Sequence, residues 1–161
     1  MPFICTIVVV EDIARTRKLY ENLLGQKVTS DFGAYNVGFA GGLAFYQKRL
    51  YQDLVGSQAV GGPSRAFELY FEEDDLPALE RQITAGGFRL VHATREEPWK
   101  QRVFRFLDED DHVVCIAERM VNVSRRLYGE QKSIDEIAAL TGLPTAEIRE
   151  HLAGVPNPSE G

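Results

Sequence analysis

The side chains best suited to chemistry in this chain are the carboxylate of Glu68 and the thiols of Cys5 and Cys115. Glu68 lies in the run FELYF, where the alternation of a β-strand places it with Tyr70 on one face and the apolar side chains on the other. Such an acid either faces solvent or enters a cavity. In a cavity, the loss of hydration would fit it for proton abstraction or for holding a ligand amine or hydroxyl.

The two cysteines lie inside apolar runs and do not form a CxxC pair. This placement is typical of small buried side chains in a reducing compartment, where no disulfide is required. A redox pair or a reactive thiol is the alternative interpretation, and it would require a lowered thiol pKa.

The three histidines are weaker candidates for chemistry. His92 lies in a strand-like run, His112 in the turn DEDDH and His151 near the C-terminal end. Their spacing is not that of metal ligands, so we interpret them as surface or turn residues.

The elements that must position these residues form a pattern that occurs twice. The first copy predicts a strand, a helix that ends before Gly25 and three further strands, over Phe3–Val10, residues 13–24, Gln26–Ser30, Ala34–Phe39 and Leu43–Gln47. A loop is predicted over Leu50–Ser64. The second copy follows it with the same order of a strand, a helix and three strands, over Arg65–Phe71, Leu76–Ala85, Phe88–Ala93, Arg102–Leu107 and Val113–Ala117. An offset of 63 residues places Asp12 on Asp75 and Cys5 on Glu68. The sequence therefore predicts an α+β fold of paired βαβββ modules.

A helical extension follows the repeat. The run VNVSRRLYG ends at Gly129, Ser133 and Glu136 have the spacing of a capping box, and a further short helix begins with Pro144 in its first turn. The last two helices resemble a DNA-binding helix-turn-helix. Residues 121–153 carry four Lys or Arg against five Asp or Glu, which favours a helical cap or a dimer element over DNA binding.

The charge of the whole chain narrows the classes of partner. Its 161 residues include 18 Lys or Arg and 24 Asp or Glu, a formal net charge of −6. This balance disfavours nucleic acid and anionic membrane surfaces as partners. No apolar run reaches the roughly 20 residues that span a bilayer, and the first ten residues lack the features of a secretory signal. We therefore expect a cytoplasmic protein that does not bind membranes.

Three segments resemble a known superfamily: VVVEDIARTRKLYENLLGQKV, ELYFEEDDLPAL and PWKQRVFRFLDEDDHVVCIAE. They are similar to the opening and closing segments of the glyoxalase, bleomycin-resistance and extradiol-dioxygenase proteins, also called vicinal oxygen chelate proteins. The resemblance implies an open barrel-like cavity lined by both modules and, frequently, a homodimer. It also implies a divalent metal in the enzymes, which polarises substrate oxygens, and a cavity used without metal in the binding proteins.

The resemblance places the metal positions on Cys5, Glu68, Cys115 and either Ala44 or Phe45. Two ligands would thus be thiols and one would be lost, so we predict no bound metal and no other cofactor. If a metal is present, Cys5, Glu68 and Cys115 would hold zinc or another thiophilic ion. The remaining candidates for ligand contact, each with core packing or surface exposure as the alternative, are Phe45, Gln47, Tyr70, Trp99 and Arg102.

The predicted organisation is a glyoxalase-like domain over residues 1–120, with modules at about 2–49 and 65–119, a helical extension over 121–153 and a flexible terminus over 154–161. The predicted function is binding of a small molecule between the modules, with Glu68 as the main polar or catalytic group. Two alternatives stay open. One is a metal-dependent glyoxalase-like lyase, isomerase or dioxygenase, and the other is a regulatory or DNA-binding protein that works through the extension.

Overall fold

The computed structural model describes residues 4–56 and 67–156. The chain divides into two compact units. Unit 1 comprises Met1–Ala66 with Asp108–His112, and unit 2 comprises Phe67–Leu107 with Val113–Gly161. No helix among the described residues is both long enough and apolar enough to cross a membrane.

Unit 1 contains a four-stranded sheet in the order β1-β4-β3-β2, with β1 and β4 parallel and the other pairs antiparallel. Its elements are β1 (Thr6–Val10), α1 (Ile13–Arg17, continued as a π-helix over Lys18–Leu23), β2 (Val28–Asp31), β3 (Asn36–Phe39), β4 (Leu43–Gln47) and α2 (Lys48–Val55). The Asp12 carboxylate accepts from the N–H of Ala14 at 2.7 Å, which satisfies a free donor and starts α1. The rings of Tyr20 and Phe45, 4.4 Å apart, form the centre of the core of this unit.

Unit 2 repeats this arrangement, with strand order β5-β8-β7-β6. Its elements are β5 (Glu68–Glu73), α3 (Leu76–Ala85), β6 (Arg89–Glu96), β7 (Arg102–Leu107), β8 (Val113–Glu118), α4 (Met120–Gly129), α5 (Ile134–Thr141) and α6 (Thr145–His151). The Asp75 carboxylate caps α3 by accepting from the N–H of Ala78 at 2.9 Å.

The predicted repeat is confirmed. The helices α1 and α3 begin 63 residues apart, each after a capping aspartate, and both sheets have the same strand order. The ladder places Ile7 beside Ala44 in unit 1 and Tyr70 beside Cys115 in unit 2. Because Ile7 and Tyr70 are 63 residues apart, Ala44 and not Phe45 is the counterpart of Cys115. Cys5 directly precedes β1, whereas its counterpart Glu68 is the first residue of β5.

Several predicted boundaries in unit 1 differ from those of the structure. The segment interpreted as a loop begins with helix α2, because the side chain of Gln47 accepts from the N–H of Leu50 at 3.0 Å and caps it. Residues 57–64 of that segment lie outside the described residues. The strand predicted from Ala34 begins at Asn36, because a turn at Gly33, whose φ is 64°, extends through Tyr35. The first strand begins at Thr6, and Phe3 lies outside the described residues.

The extension forms three helices around its own apolar cluster, consisting of Val123, Leu127, Ile137 and Ile148. The capping box of Ser133 and Glu136 is confirmed, and Gly142 ends α5 with a φ of 77°. Pro144 precedes α6 as its cap and does not lie in the first turn. Residues 157–161 of the predicted terminus lie outside the described residues. The division between a domain of residues 1–120 and an extension of 121–153 stays a prediction.

Candidate functional site

A row of four side chains crosses the sheet of unit 2, one from each strand. Tyr70 is aligned with Cys115, Cys115 with Arg105, and Arg105 with His92. Aligned residues of neighbouring strands point to the same face of a sheet, and so does Glu68, two residues before Tyr70. The fully buried side chains of Phe104, Phe106 and Ile116 occupy the opposite face.

Arg105 is the centre of the polar part of this face. Its Nε donates to Oε2 of Glu68 at 2.8 Å, and its Nη1 donates to Oε1 of Glu97 at 3.0 Å. The same Nη1 lies 3.2 Å from Nε2 of His92. Loss of hydration acts to raise the pKa of Glu97, but the bond from Arg105 and the charge of Arg95 outweigh it and hold that pKa below its usual range. One guanidinium therefore fixes two carboxylates and a histidine.

Cys115 lies in this row with only 1% of its surface exposed, packed with Val103 and Ala117. Burial raises the pKa of the Cys115 thiol to about 11, and the positive charge of Arg105 opposes that rise only in part. The thiol is therefore protonated at neutral pH and fills space as a small apolar group. The alternative of a reactive thiol is not supported for this residue.

Gln101 organises the aromatic part of the face. Its Nε2 donates to the hydroxyl of Tyr70 and to the backbone carbonyl of Glu118, both at 2.7 Å, and its Oε1 accepts from the indole Nε1 of Trp99 at 2.9 Å. Gln101 is 4% exposed, whereas Tyr70 and Trp99 are 49% and 40% exposed. Burial of part of the ring raises the pKa of Tyr70, so its hydroxyl stays protonated. Two open aromatic surfaces are thus held by one buried amide.

The structure gives the other predicted contact residues different surroundings. Phe45 belongs to unit 1 and is completely buried against Tyr20 and Phe39. Gln47, also in unit 1, caps α2 and donates to the carbonyl of Glu11 at 3.0 Å. Arg102 is three residues before Arg105 in β7, and strand alternation therefore places it on the opposite face.

Arg105 and Gln101, which organise the face, were not selected from the sequence. The sequence around these two residues gave only weak indications of their role. Arg105 lies in a strand that also contains Arg102, and the sequence does not show which of the two faces the site. Gln101 is an isolated polar residue between Trp99 and that strand. Arg105 and Gln101 can be identified only when the register of the strands is known, because the register decides which face each side chain occupies and which hydrogen bonds it forms.

The donors at the metal positions implied by the resemblance do not fit a divalent cation. Ala44 has no donor atom, the thiol of Cys115 is protonated and buried, and both carboxylate oxygens of Glu68 lie within 3.4 Å of the Arg105 guanidinium. Cys5 is half-buried in unit 1. Within residues 4–56 and 67–156, no group of three His, Cys, Asp or Glu is placed to hold a metal ion. The absence of a metal in the purified protein stays a prediction.

A second polar cluster is buried in unit 1. Oδ2 of Asp108 accepts from the hydroxyl of Tyr20 at 2.8 Å and lies 3.1 Å from Nδ1 of His112, while Oδ1 accepts from the N–H of His112 at 2.9 Å. Burial acts to lower the pKa of His112, but its bond to Asp108 and the charge of that carboxylate raise it above the ordinary value. Burial likewise acts to raise the pKa of Asp108, and His112 lowers it.

This cluster changes the interpretation of the histidines. His112 lies in the predicted turn but is 6% exposed, so it is not a surface residue. His92 contacts Arg105, and Nδ1 of His151 lies 2.9 Å from the hydroxyl of Ser124. Each described histidine therefore has a structural partner.

Comparison with known proteins gives a consistent result. The family model of the glyoxalase-like domain matches residues 3–121. A protein of unknown function from Agrobacterium tumefaciens is 34% identical, with a TM-score of 0.65 over 73% of this chain and 94% of that one. A glyoxalase-related enzyme from Fulvimarina pelagi is 17% identical, with a TM-score of 0.64 over 74% and 89%. A glyoxalase/bleomycin resistance protein/dioxygenase family enzyme from Burkholderia phytofirmans is 20% identical, with a TM-score of 0.63 over 71% and 96%. No curated protein matches the chain.

Proposed function

The chain belongs to the family of glyoxalase-like domains, and we propose that it binds a small, partly apolar molecule, without a metal ion, on the face of the unit 2 sheet that carries Tyr70. One observation carries this proposal: Tyr70 and Trp99, both about half exposed, are fixed by the buried amide of Gln101 on the face that also carries the ion pair of Glu68 and Arg105. Small-molecule sites combine apolar surface with a few fixed polar groups.

The side chains of this face have different roles in the proposal. The rings of Tyr70 and Trp99 supply apolar contact area whose orientation is already fixed, which reduces the entropy lost on binding. Glu68 is 38% exposed and lies 2.8 Å from Arg105, so its free lone pairs can accept from a ligand amine or hydroxyl. The Arg105 guanidinium neutralises this carboxylate and holds it in place. A catalytic role for Glu68 stays a prediction.

The DNA-binding alternative is less well supported than binding on the sheet. Three of the basic side chains of the extension have partners within unit 2, because Arg126 pairs with Glu118, Arg125 donates to the carbonyl of His151, and Arg149 contacts the hydroxyl of Thr145. A surface for phosphates needs unpaired basic side chains along one helix. Homodimer formation stays a prediction.

The proposal is tested by thermal melts of the wild type and of Glu68→Gln with a panel of small aromatic and carbonyl compounds. Glu21→Gln is the matched control, because Glu21 pairs with Arg17 at 2.7 Å and is 33% exposed, close to the values for Glu68. Both variants should melt near the wild type, since a partly exposed ion pair contributes about 0 to 1 kcal/mol. Compounds that stabilise the wild type should lose their effect only in Glu68→Gln. Equal responses in all three proteins would contradict the proposed site.

The metal-dependent alternative is tested by metal analysis of the protein purified without chelators. We expect far less than one equivalent of transition metal per chain, because the donor set does not fit one. About one equivalent, lost in Glu68→Gln, would overturn the metal-free proposal and favour a glyoxalase-like lyase, isomerase or dioxygenase.

A further inference from the structure

The turn between β6 and β7, which carries Trp99 and Gln101, has a backbone conformation that the chain alone does not favour. Lys100 has a φ of 69°, in the left-handed region, which costs a residue with a Cβ about 1 to 2 kcal/mol. Inside the turn, the N–H of Lys100 donates to the carbonyl of Glu97, and the N–H of Glu97 donates to the carbonyl of Gln101, both at 2.9 Å. Support from a neighbouring element would hold the turn in this shape.

Helix α4 of the extension supplies such support through Arg126. Its Nη2 donates to the backbone carbonyl of Lys100 at 2.6 Å and to Oε2 of Glu118 at 3.0 Å. The guanidinium also forms longer ion pairs with Glu96 at 3.5 Å and Glu130 at 3.6 Å. The Arg126 side chain is 18% exposed, so water screens these bonds less than it screens a surface ion pair.

Both acceptors of Arg126 are directly connected to Gln101. Lys100 is the residue before it in the chain, and Glu118 accepts from its Nε2 through the backbone carbonyl at 2.7 Å. A change in the position of Arg126 would therefore reach the amide that holds the two aromatic side chains.

We propose that Arg126 is a positioning residue that sets the geometry of Trp99 and, through Gln101, of Tyr70. The family model ends at residue 121, so this support comes from the C-terminal extension and not from the matched domain. The effect on binding rests on the proposed function, whereas the effect on the geometry of Trp99 does not.

The geometry can be tested without any ligand, because Trp99 is the single tryptophan of the chain. In Arg126→Met, which keeps an apolar stem but no charge, we expect tryptophan emission at longer wavelength, stronger quenching by acrylamide and faster solvent exchange of the indole proton. Arg126→Lys should restore these signals in part, since a lysine can still donate one bond to the turn.

Arg125→Met is the matched control, because Arg125 lies in the same helix and donates to the carbonyl of His151 at 3.0 Å. It should destabilise the extension but leave the indole signals unchanged in the folded protein. Indole signals in folded Arg126→Met that equal those of the wild type would overturn the proposal, as would equal changes in both variants. If Arg126→Met does not fold, Arg126→Lys and Glu118→Gln replace it, and unchanged indole signals in both would overturn the proposal.

Binding measurements on the wild type and on Arg126→Met distinguish a failure of this inference from a failure of the proposed function. Panel compounds that bind the wild type should bind folded Arg126→Met about tenfold more weakly, because a charge-assisted bond contributes on the order of 1.5 kcal/mol. If no panel compound binds the wild type, the proposed function fails while the indole signals still decide the role of Arg126. If compounds bind both proteins equally, the effect of Arg126 on binding is refuted, the proposed function stands, and the indole signals alone decide whether Arg126 positions Trp99.

Discussion

The two units present the same scaffold with different chemistry. The row that crosses the sheet of unit 2 has a counterpart at the same ladder positions of unit 1, and the two rows are Tyr70, Cys115, Arg105 and His92 against Ile7, Ala44, Gly38 and Ser30. An irregularity of register lies at the same place in both, just before Ser30 and just before His92. The two rows therefore share their ladder positions and this irregularity, while the charged and aromatic side chains of the row occur only in unit 2.

Unit 1 cannot carry the same row without a change of packing. A Cβ at Gly38, the counterpart of Arg105, would lie 2.4 Å from Oγ of Ser30. The neighbour Ala44 offers only a methyl group where unit 2 has a thiol. The repeated fold therefore fixes where a site can lie, and a few residue types decide which unit carries it.

The largest expected contrast concerns the two thiols. The pKa of Cys115, raised by burial to about 11, leaves so little thiolate at pH 8 that alkylation should be at least about 100-fold slower than for an ordinary thiol. Cys5 is half-buried and should react first. Mass spectrometry after iodoacetamide treatment of the native protein measures both rates, and denatured protein is the control. Labelling of Cys115 as fast as that of Cys5 would contradict the account of the row.

Removal of the Arg105 charge should destabilise the protein more than removal of an arginine that pairs with two carboxylates in unit 1. Arg105→Met leaves Glu68 and the nearly buried Glu97 without their common partner, and we expect a loss of about 2 kcal/mol in the free energy of unfolding. Arg17→Met in unit 1 removes an arginine that also contacts two carboxylates but is 30% exposed, so about 0 to 1 kcal/mol is expected. Urea unfolding measures the free energy of unfolding of both variants. Equal losses in the two would contradict the expectation that the Arg105 pairs of unit 2 stabilise the protein more than the Arg17 pairs of unit 1.

The pH dependence of stability should come from unit 1. Since Asp108 raises the pKa of His112 above its ordinary value, the pair stabilises the protein fully below about pH 6.5 and loses this contribution as pH rises through the raised value. The lowered pKa of Asp108 has the opposite effect, and its contribution is lost as pH falls through that value. We expect the free energy of unfolding to decrease modestly from pH 6 to pH 9 in the wild type and not in His112→Gln. The same decrease in both would show that another group titrates.

Local signals made much of the fold predictable. The capping box of Ser133 and Glu136 depends on residues close in sequence, and the repeat at an offset of 63 residues depends on the same local pattern occurring twice; both are confirmed. Helix α2 was not predicted because it has only eight residues, half of them charged or amide, and it depends on the Gln47 cap and on contact between the rings of Tyr46 and Tyr51.

The site was predictable only in part. The polar face of β5, with Glu68 and Tyr70, follows from strand alternation in the run FELYF. The choice of Arg105 over Arg102 depends on strand register, and a shift of one residue reverses the face of every side chain. The bonds of Gln101 and Arg126 join residues from separate elements, and no spacing in the sequence indicates them.

We propose that ligand binding belongs to the row of unit 2 and not to its counterpart in unit 1. The most direct test is to record ¹H–¹⁵N correlation spectra of the full chain while small aromatic and carbonyl compounds are added. We predict shifts of the Trp99 indole signal and of the amides of Tyr70 and Arg105, with the amides of Ala44 and Gly38 unchanged. Shifts centred on Ala44 and Gly38, or confined to the shallow groove along α3 lined by Pro77, Arg81 and Ala85, would contradict the account.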